Sequence, residues 1–591
     1  MSAASEYRPA IDGLRALAVL GVFFFHLDRA WLPGGFAGVD VFFVISGYLI
    51  TSILQRDFDR HQDLSFGRFY QRRIARLFPA FFTAALFTLA GAALVYSEQD
   101  LASAGINLAA VSLSVANLKF MLQGNYFTLS PDAQPYLHYW SLSVEEQFYL
   151  IFPALLLVLY RRAGRHRVAA LGTLCAISLI ACIAVTRAQP TWAFYLLPTR
   201  AWELFVGALL AVIGAGRGSS QLRTPVPLAG LAFILGSFVV LSEGPEFPGV
   251  VALLPVVGTA AVIGVSQGSA GLVERMLSWP LLVTIGRMSY SLYLFHWPVF
   301  SLVDYRLYLA PAWVRLSLKV VITVALTTVC FRFIENPARA YLNDPRRRRA
   351  AFAFLAVALL VAVPLGLAVR RANYFNADPG AVAGGGLSFN ALGARGSMVL
   401  MGDSNGSMYG RMARDIAAER DLRLRIISVA DGDPLPGGPL WRDSVAVVER
   451  ERPDVVLLVC EWLEKLDSRG DRLPEAVREL RRHARLVVLL TEPPRLPPAA
   501  TRDAIRRGAR PPFVEESDVR ERRVQRNAIV AAQRGDGVAV VDVERLFVDE
   551  TGAIRLTDAR GTELFQDRKH VSAAGAALVK PAVLDAIGPA R

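Results

Sequence analysis

From Ile11 to Val369 the chain repeats apolar stretches of about the length that a helix needs to cross hydrocarbon. Eleven can be drawn, near 12–30, 37–56, 76–96, 144–160, 168–186, 200–215, 226–242, 247–266, 281–303, 313–334 and 350–369. Between the third and fourth, the apolar stretch 103–122 inside the loop Tyr96–Tyr139 reads as a short re-entrant or interfacial helix. The pattern changes near residue 375. Residues 370–396 are rich in Gly, Ala and Pro and lack periodicity, which predicts a flexible linker. Beyond it, β-rich runs at 397–401, 424–429, 454–460, 485–491 and 538–543 alternate with charged helical segments. That alternation predicts a parallel sheet covered by helices, a three-layer α/β fold. The expected parts are a membrane region over 1–340, a further membrane helix within 341–375, a linker over 376–396 and an α/β domain over 397–591.

Composition agrees with a membrane protein: 53% of the 591 residues are hydrophobic and only 19% are charged. A net charge of +13 invites a nucleic-acid reading, but much of the excess falls in short loops: Arg56–Arg76, Arg161–Arg167, Arg217–Arg223 and Arg339–Arg349. Those loops face the cytoplasm if the N-terminus does, as the positive-inside rule predicts. No nucleic acid is therefore expected as a partner. An odd number of spans then places the α/β domain outside, with Arg346–Arg349 anchoring the last span. The N-terminus lacks the small-residue cleavage site of a signal peptide. Cys175, Cys182, Cys330 and Cys460 have no metal-like or redox-like spacing, so neither a disulfide nor a metal is expected.

Two polar residues stand out in the first span. Arg15 and His26 are eleven residues apart, about 16 Å of rise and within about 20° of one helix face. Ionisable residues inside a span are costly and mark functional sites by default, although an arginine can also snorkel and a histidine can be satisfied in place. Further strings accumulate in order: IDGLRALAVL, GGFAGVDVFFVISGYLIT, RRIARLFPA, WSLSVEEQFY, LPTRAWEL, IGRMSYSLYLFHWP and FRFIENPAR. Together they resemble the integral-membrane acyltransferase-3 family over about residues 7–340. The resemblance implies ten core helices, with the eleventh accompanying an attached outer domain. It also implies an acyl-CoA donor entering from the cytoplasm, Arg15 in donor binding, and His26 as catalytic base or acyl-relay residue. Arg72, Arg73 and Arg76, with Arg68, could bind the phosphates of CoA, or serve only to retain the loop in the cytoplasm. Glu145 or Glu146 is expected to pair with Arg200 or Arg332, either structurally or as a catalytic acid. His296 is expected near the outer end of its span, as an interfacial residue or as a group assisting the acceptor.

In the last third, MVLMGDSNGS sets Asp403 and Ser404 after a strand and before a helix, and DRKHVSAAG sets Asp567 three residues before His570. Nucleophile, base and orienter are thus all present. GDS followed by DxxH resembles the SGNH (GDSL-type) superfamily over about 397–591. On that resemblance, Ser404 and Gly432 backbone N–H groups would form the oxyanion hole and Trp462 would line the site. The asparagine expected near the third strand is missing, since the segment reads VVLLVCEW. His61, His166 and His483 lie in charged surroundings and read as solvated.

These readings converge on an inner-membrane O-acyltransferase, with acetyl-CoA as donor substrate and no bound cofactor. The acceptor would be a hydroxyl of an envelope glycan such as O-antigen, with membrane lipid as the other partner. An outer esterase on a passive anchor would need neither eleven spans nor Arg15 and His26. A non-enzymatic transporter would need no outer nucleophile.

Overall fold

The computed structural model describes residues 7–123, 131–214, 224–265, 271–390, 393–466 and 470–589. The expected loop Arg217–Arg223 lies outside them. The chain divides into two units, Met1–Tyr96 with Asp100–Ala372, and Ser97–Gln99 with Asn373–Arg591.

The first unit is helical. A helix lies within each of the eleven expected segments, among them Pro9–Leu27, Gly38–His61, Tyr139–Val158, Leu197–Ile213 and Pro280–Arg306. Six helical stretches among the described residues are long and apolar enough to cross a membrane: Pro9–Leu27, Gly35–His61, Phe66–Val95, Tyr139–Ala188, Ala312–Leu342 and Pro345–Asn373. Pro225–Val240 and Leu253–Val265 are apolar but shorter. The stretch 103–122 is not one helix. Ser114 takes a left-handed φ of 55°, which splits it into Glu98–Ser112 and Ala116–Gln123.

Without hydrophobic expulsion to drive them together in lipid, spanning helices associate by close packing, and small residues permit it. Helix Pro280–Arg306 lies against Pro9–Leu27 at Gly286, where an added Cβ would fall 1.7 Å from the Asp12 carbonyl oxygen. That contact seats the helix bearing His296 beside the helix bearing His26. Pro298 sits inside the same helix. Lacking an N–H, a proline leaves the carbonyl four residues earlier without its helical donor. Here that carbonyl belongs to Leu294, and the ring of His138 supplies the missing bond at 3.2 Å.

The second unit is built on a six-stranded sheet: β1 (Leu387–Phe389), β2 (Gly396–Gly402), β3 (Leu422–Ile426), β4 (Val455–Val459), β5 (Leu486–Leu490) and β6 (Val538–Val541). The spatial order is β1-β3-β2-β4-β5-β6. β2 to β6 are parallel, and β1 pairs antiparallel with β3, so the sheet is mixed. VVLLV of β4 is buried at every position, as expected of parallel strands covered on both faces. Helices Gly410–Glu419 and Ala573–Ile587 pack together over the sheet, as do Trp441–Glu451 and Arg472–His483. The expected linker is ordered in part. Gly386, at φ 60°, lets the chain pass where a Cβ would fall 2.2 Å from the Ile426 carbonyl oxygen. The next three residues then form the edge strand β1. With no alternating pattern to announce it, this strand is held by backbone pairing with β3 and by the Phe389 ring, which packs on Phe375 and under Arg414.

Candidate active sites

Ser404 opens a single helical turn directly after β2, at the carboxyl end of the parallel strands. Its hydroxyl lies 2.9 Å from His570 Nε2, and His570 Nδ1 lies 2.7 Å from Asp567 Oδ2. Asp567 is placed by its own turn, because its Oδ1 accepts the backbone N–H groups of Lys569 and His570, each at 2.9 Å. Partial burial works to raise the Asp567 pKa, but the His570 imidazole and those two N–H donors outweigh it and hold the acid below its ordinary value. An ionised carboxylate only accepts, so Nδ1 carries the proton and Nε2 is left to take the one from Ser404.

Asp403 caps the same turn. It is buried and accepts N–H bonds from Asn405 and Glu461, each at 2.9 Å. Burial outweighs those bonds and pushes its pKa up to about 6.

The expected oxyanion hole needs correction. Gly432 N–H already donates to the Val429 carbonyl at 2.9 Å, closing a turn through left-handed Asp431. Ser404 N–H has no acceptor among the described residues. Trp462 does not line the site. It is fully buried in the core, and its indole N–H bonds the Leu490 carbonyl. Where the asparagine was sought stands Glu461, whose carboxylate accepts from Arg495 at 2.6 Å and Lys569 at 2.9 Å. It is an acceptor only, and it ties the His570 loop to the end of β4.

The helical unit holds a second constellation. His26 Nδ1 lies 3.0 Å from His296 Nε2, and His296 Nδ1 lies 2.7 Å from the Tyr293 carbonyl. His138 stands edge-on to His296 with ring centroids 5.6 Å apart. His296 is 1% exposed within the bundle. An open cavity of about 740 Å³, a volume that includes open solvent, is lined by Arg15, Arg73, Arg76, Ser141 and Tyr293 among others. Arg72 is exposed and does not line it, because one residue along a helix is about 100° of rotation. Arg15 also bonds Asp12 at 3.2 Å.

The expected pairing of Glu145 is not found. Its carboxylate lines the cavity and accepts from Ser46 at 2.7 Å and Tyr149 at 3.3 Å. Arg200 instead pairs with Asp40 and Glu203, both at 2.9 Å, and Arg332 is exposed beside Phe333.

A family described as an acyltransferase domain matches residues 8–332, more than half of the chain. The chain belongs to this acyltransferase family. A second match, described as an SGNH domain fused to AT3 domains, covers 375–585. Among curated relatives of this chain, O-acetyltransferase OatA of Staphylococcus aureus is 31% identical over 61% of this chain and 62% of its own length. Peptidoglycan O-acetyltransferase OatA of Listeria monocytogenes is 33% identical over 56% of each chain. The putative peptidoglycan O-acetyltransferase YrhL of Bacillus subtilis is 34% identical over 56% of this chain and 55% of its own. The chain thus spans about three fifths or less of the length of these relatives.

Sequence reasoning missed His138, Glu461, Arg495 and Lys569. A signal for His138 was present: Pro298 announces a carbonyl in need of a donor, and a histidine in an apolar segment can supply one. For Glu461, the only signal was a carboxylate placed directly after a fully apolar strand.

Proposed function

We propose that the chain is a multi-pass inner-membrane O-acetyltransferase that moves an acetyl group from cytoplasmic acetyl-CoA to a sugar hydroxyl of an envelope glycan. In this reading ten core helices and an eleventh cross the membrane, the N-terminus is cytoplasmic and the SGNH domain is extracytoplasmic. The observation that carries it is the hydrogen-bonded series Ser404, His570, Asp567 within an SGNH domain joined to an acyltransferase domain. Arg15, Arg73 and Arg76 give the cavity a cationic side suited to the phosphates of CoA. His26 takes the proton of a carrier hydroxyl that attacks the thioester carbon and gives it to the departing CoA sulfur, so that the acyl group leaves as an ester of that carrier. At the second site Ser404 Oγ bonds the acyl carbon while its proton passes to His570 Nε2 and on to the leaving group. A sugar hydroxyl then attacks the acyl-serine, gives its proton to the same nitrogen and restores Ser404. The relatives named for peptidoglycan make that polymer an acceptor to test beside O-antigen.

Membranes supplied with labelled acetyl-CoA and either purified glycan decide the matter. Label should reach glycan with the wild type. Ser404→Ala should block that step, and His26→Ala should leave Ser404 unacylated by mass spectrometry. Glycan acetylation at the wild-type rate without Ser404, or acyl-Ser404 formed without His26, would overturn the scheme.

A further inference from the structure

The three buried or half-buried imidazoles of the helical unit have proton positions that neighbouring carbonyls dictate. A backbone carbonyl can only accept. Since His296 Nδ1 is 2.7 Å from the Tyr293 carbonyl, the proton of a neutral His296 is on Nδ1 and its Nε2 presents a lone pair. His296 is 1% exposed and no carboxylate contacts it among the described residues. An imidazolium there would be an uncompensated buried charge, so the neutral form is the one the site holds. His26 Nδ1, 3.0 Å from that lone pair, must then be the donor. We infer that His296 is a positioning residue, fixing His26 in the Nδ1–H tautomer so that Nε2 is its basic nitrogen.

The inference rests on the proposed role of His26 as base, and it assigns His296 the part that a carboxylate takes in a hydrolase triad. His296 is itself held from several sides. Phe300 stands edge-on to it at 5.8 Å and His138 edge-on at 5.6 Å. His138 is fixed in turn, because its Nε2 donates to the Leu294 carbonyl that Pro298 leaves open. Gly286 brings the whole helix against the helix of His26. The ring that accepts from His26 therefore has little freedom to turn away.

The full chain, labelled with ¹³C and ¹⁵N histidine and held in lipid nanodiscs, allows the test by solid-state NMR. The His26 signal is identified by its loss in His26→Asn. In the wild type it should show the Nδ1–H form. In His296→Leu, which removes the acceptor, it should move to the Nε2–H form. The rate of acetyl transfer should fall by about 10²–10⁴-fold, with the donor KM unchanged within about threefold. His296→Gln, whose side-chain oxygen can accept, should recover at least about tenfold over the leucine variant. A His26 that carries its proton on Nε2 in the wild type overturns the inference without any His296 variant needing to fold. So does an unchanged tautomer in His296→Leu, or a rate within about threefold of wild type. Wild-type protein unable to transfer acetyl at all would defeat the function proposed above, while the tautomer measurement would still decide this one.

Discussion

The proposed bases His570 and His26 stand in two kinds of surroundings. In the SGNH domain, His570 Nδ1 faces the half-exposed carboxylate of Asp567. Water and two backbone N–H groups keep that charge cheap. In the helical unit, His26 Nδ1 faces a neutral, fully buried imidazole that donates its own N–H to a carbonyl. Both arrangements leave Nε2 as the basic nitrogen, but only one uses an ion to do it. One set of charges deep in the bundle is locked together: Arg200, Asp40 and Glu203 are 0–1% exposed, and the guanidinium bonds both carboxylates. Four aromatic rings, Phe43, Trp140, Phe194 and Phe247, stand within 5.8 Å of the guanidinium. Solvent determines which orienting group a base can have, since an unpaired carboxylate inside apolar surroundings is too costly to keep.

The comparison breaks most visibly at Asp567. Asp567→Asn would turn an amide N–H toward His570 Nδ1 and force the proton onto Nε2, as a misplaced tautomer does in serine proteases. Glycan acetylation should fall by about 10³–10⁴-fold, while acyl delivery up to Ser404 and overall stability change little. A loss below about tenfold would mean that the carboxylate does not orient the base.

The buried triad gives the next largest effect, and on stability rather than rate. Arg200→Met leaves two buried carboxylates without their cation and should cost about 3–5 kcal/mol in unfolding of the helical unit. Replacing Asp40 and Glu203 by leucine in the same protein should recover most of it, because a missing ion pair costs less than half of one. A single variant within about 1 kcal/mol of wild type would refute the triad's structural role.

The parts of this architecture that were legible in the sequence are those where a local pattern carries the information. Apolar runs foretold the helices and β2 to β6. GDS and DxxH foretold a nucleophile and base that the fold brings to 2.9 Å from opposite ends of a domain. Illegible parts depend on a partner distant in sequence or on one backbone angle. Whether Gly432 can serve an oxyanion depends on the left-handed Asp431 that commits its N–H to Val429. Arg72 differs from Arg73 only by which side of a helix meets the cavity. β1 has three residues and no pattern of its own, and His138 is drawn to His296 by a vacancy that Pro298 makes.

The smallest expected effect sharpens the contrast by finding it inside the SGNH domain alone. Asp403 and Asp567 lie in one active site, but Asp403 is buried and raised from 3.8 to about 6, whereas Asp567 is lowered. The signs are opposite. An acid whose folded pKa is raised contributes stability that is fully present below its unfolded value and is lost as pH rises through the folded one. For Asp403 that window runs from about 3.8 to about 6 and is worth about 3 kcal/mol. Asp567 contributes stability that is present above its unfolded value and is lost only as pH falls through a lower one. Asp403→Asn should therefore flatten a decline in the stability of the SGNH domain between pH 4 and pH 7, whatever pH-independent cost the amide adds. Cys460, 1% exposed in the core of that domain, reports its unfolding in the full chain through capture by a thiol reagent across a urea series. The quantity to compare is the difference between variant and wild type at each pH, which cancels the reagent's own pH dependence. A difference that stays constant from pH 4 to pH 7 would show that Asp403 is ionised as readily as an exposed acid. Burial would then not be what separates the two carboxylates.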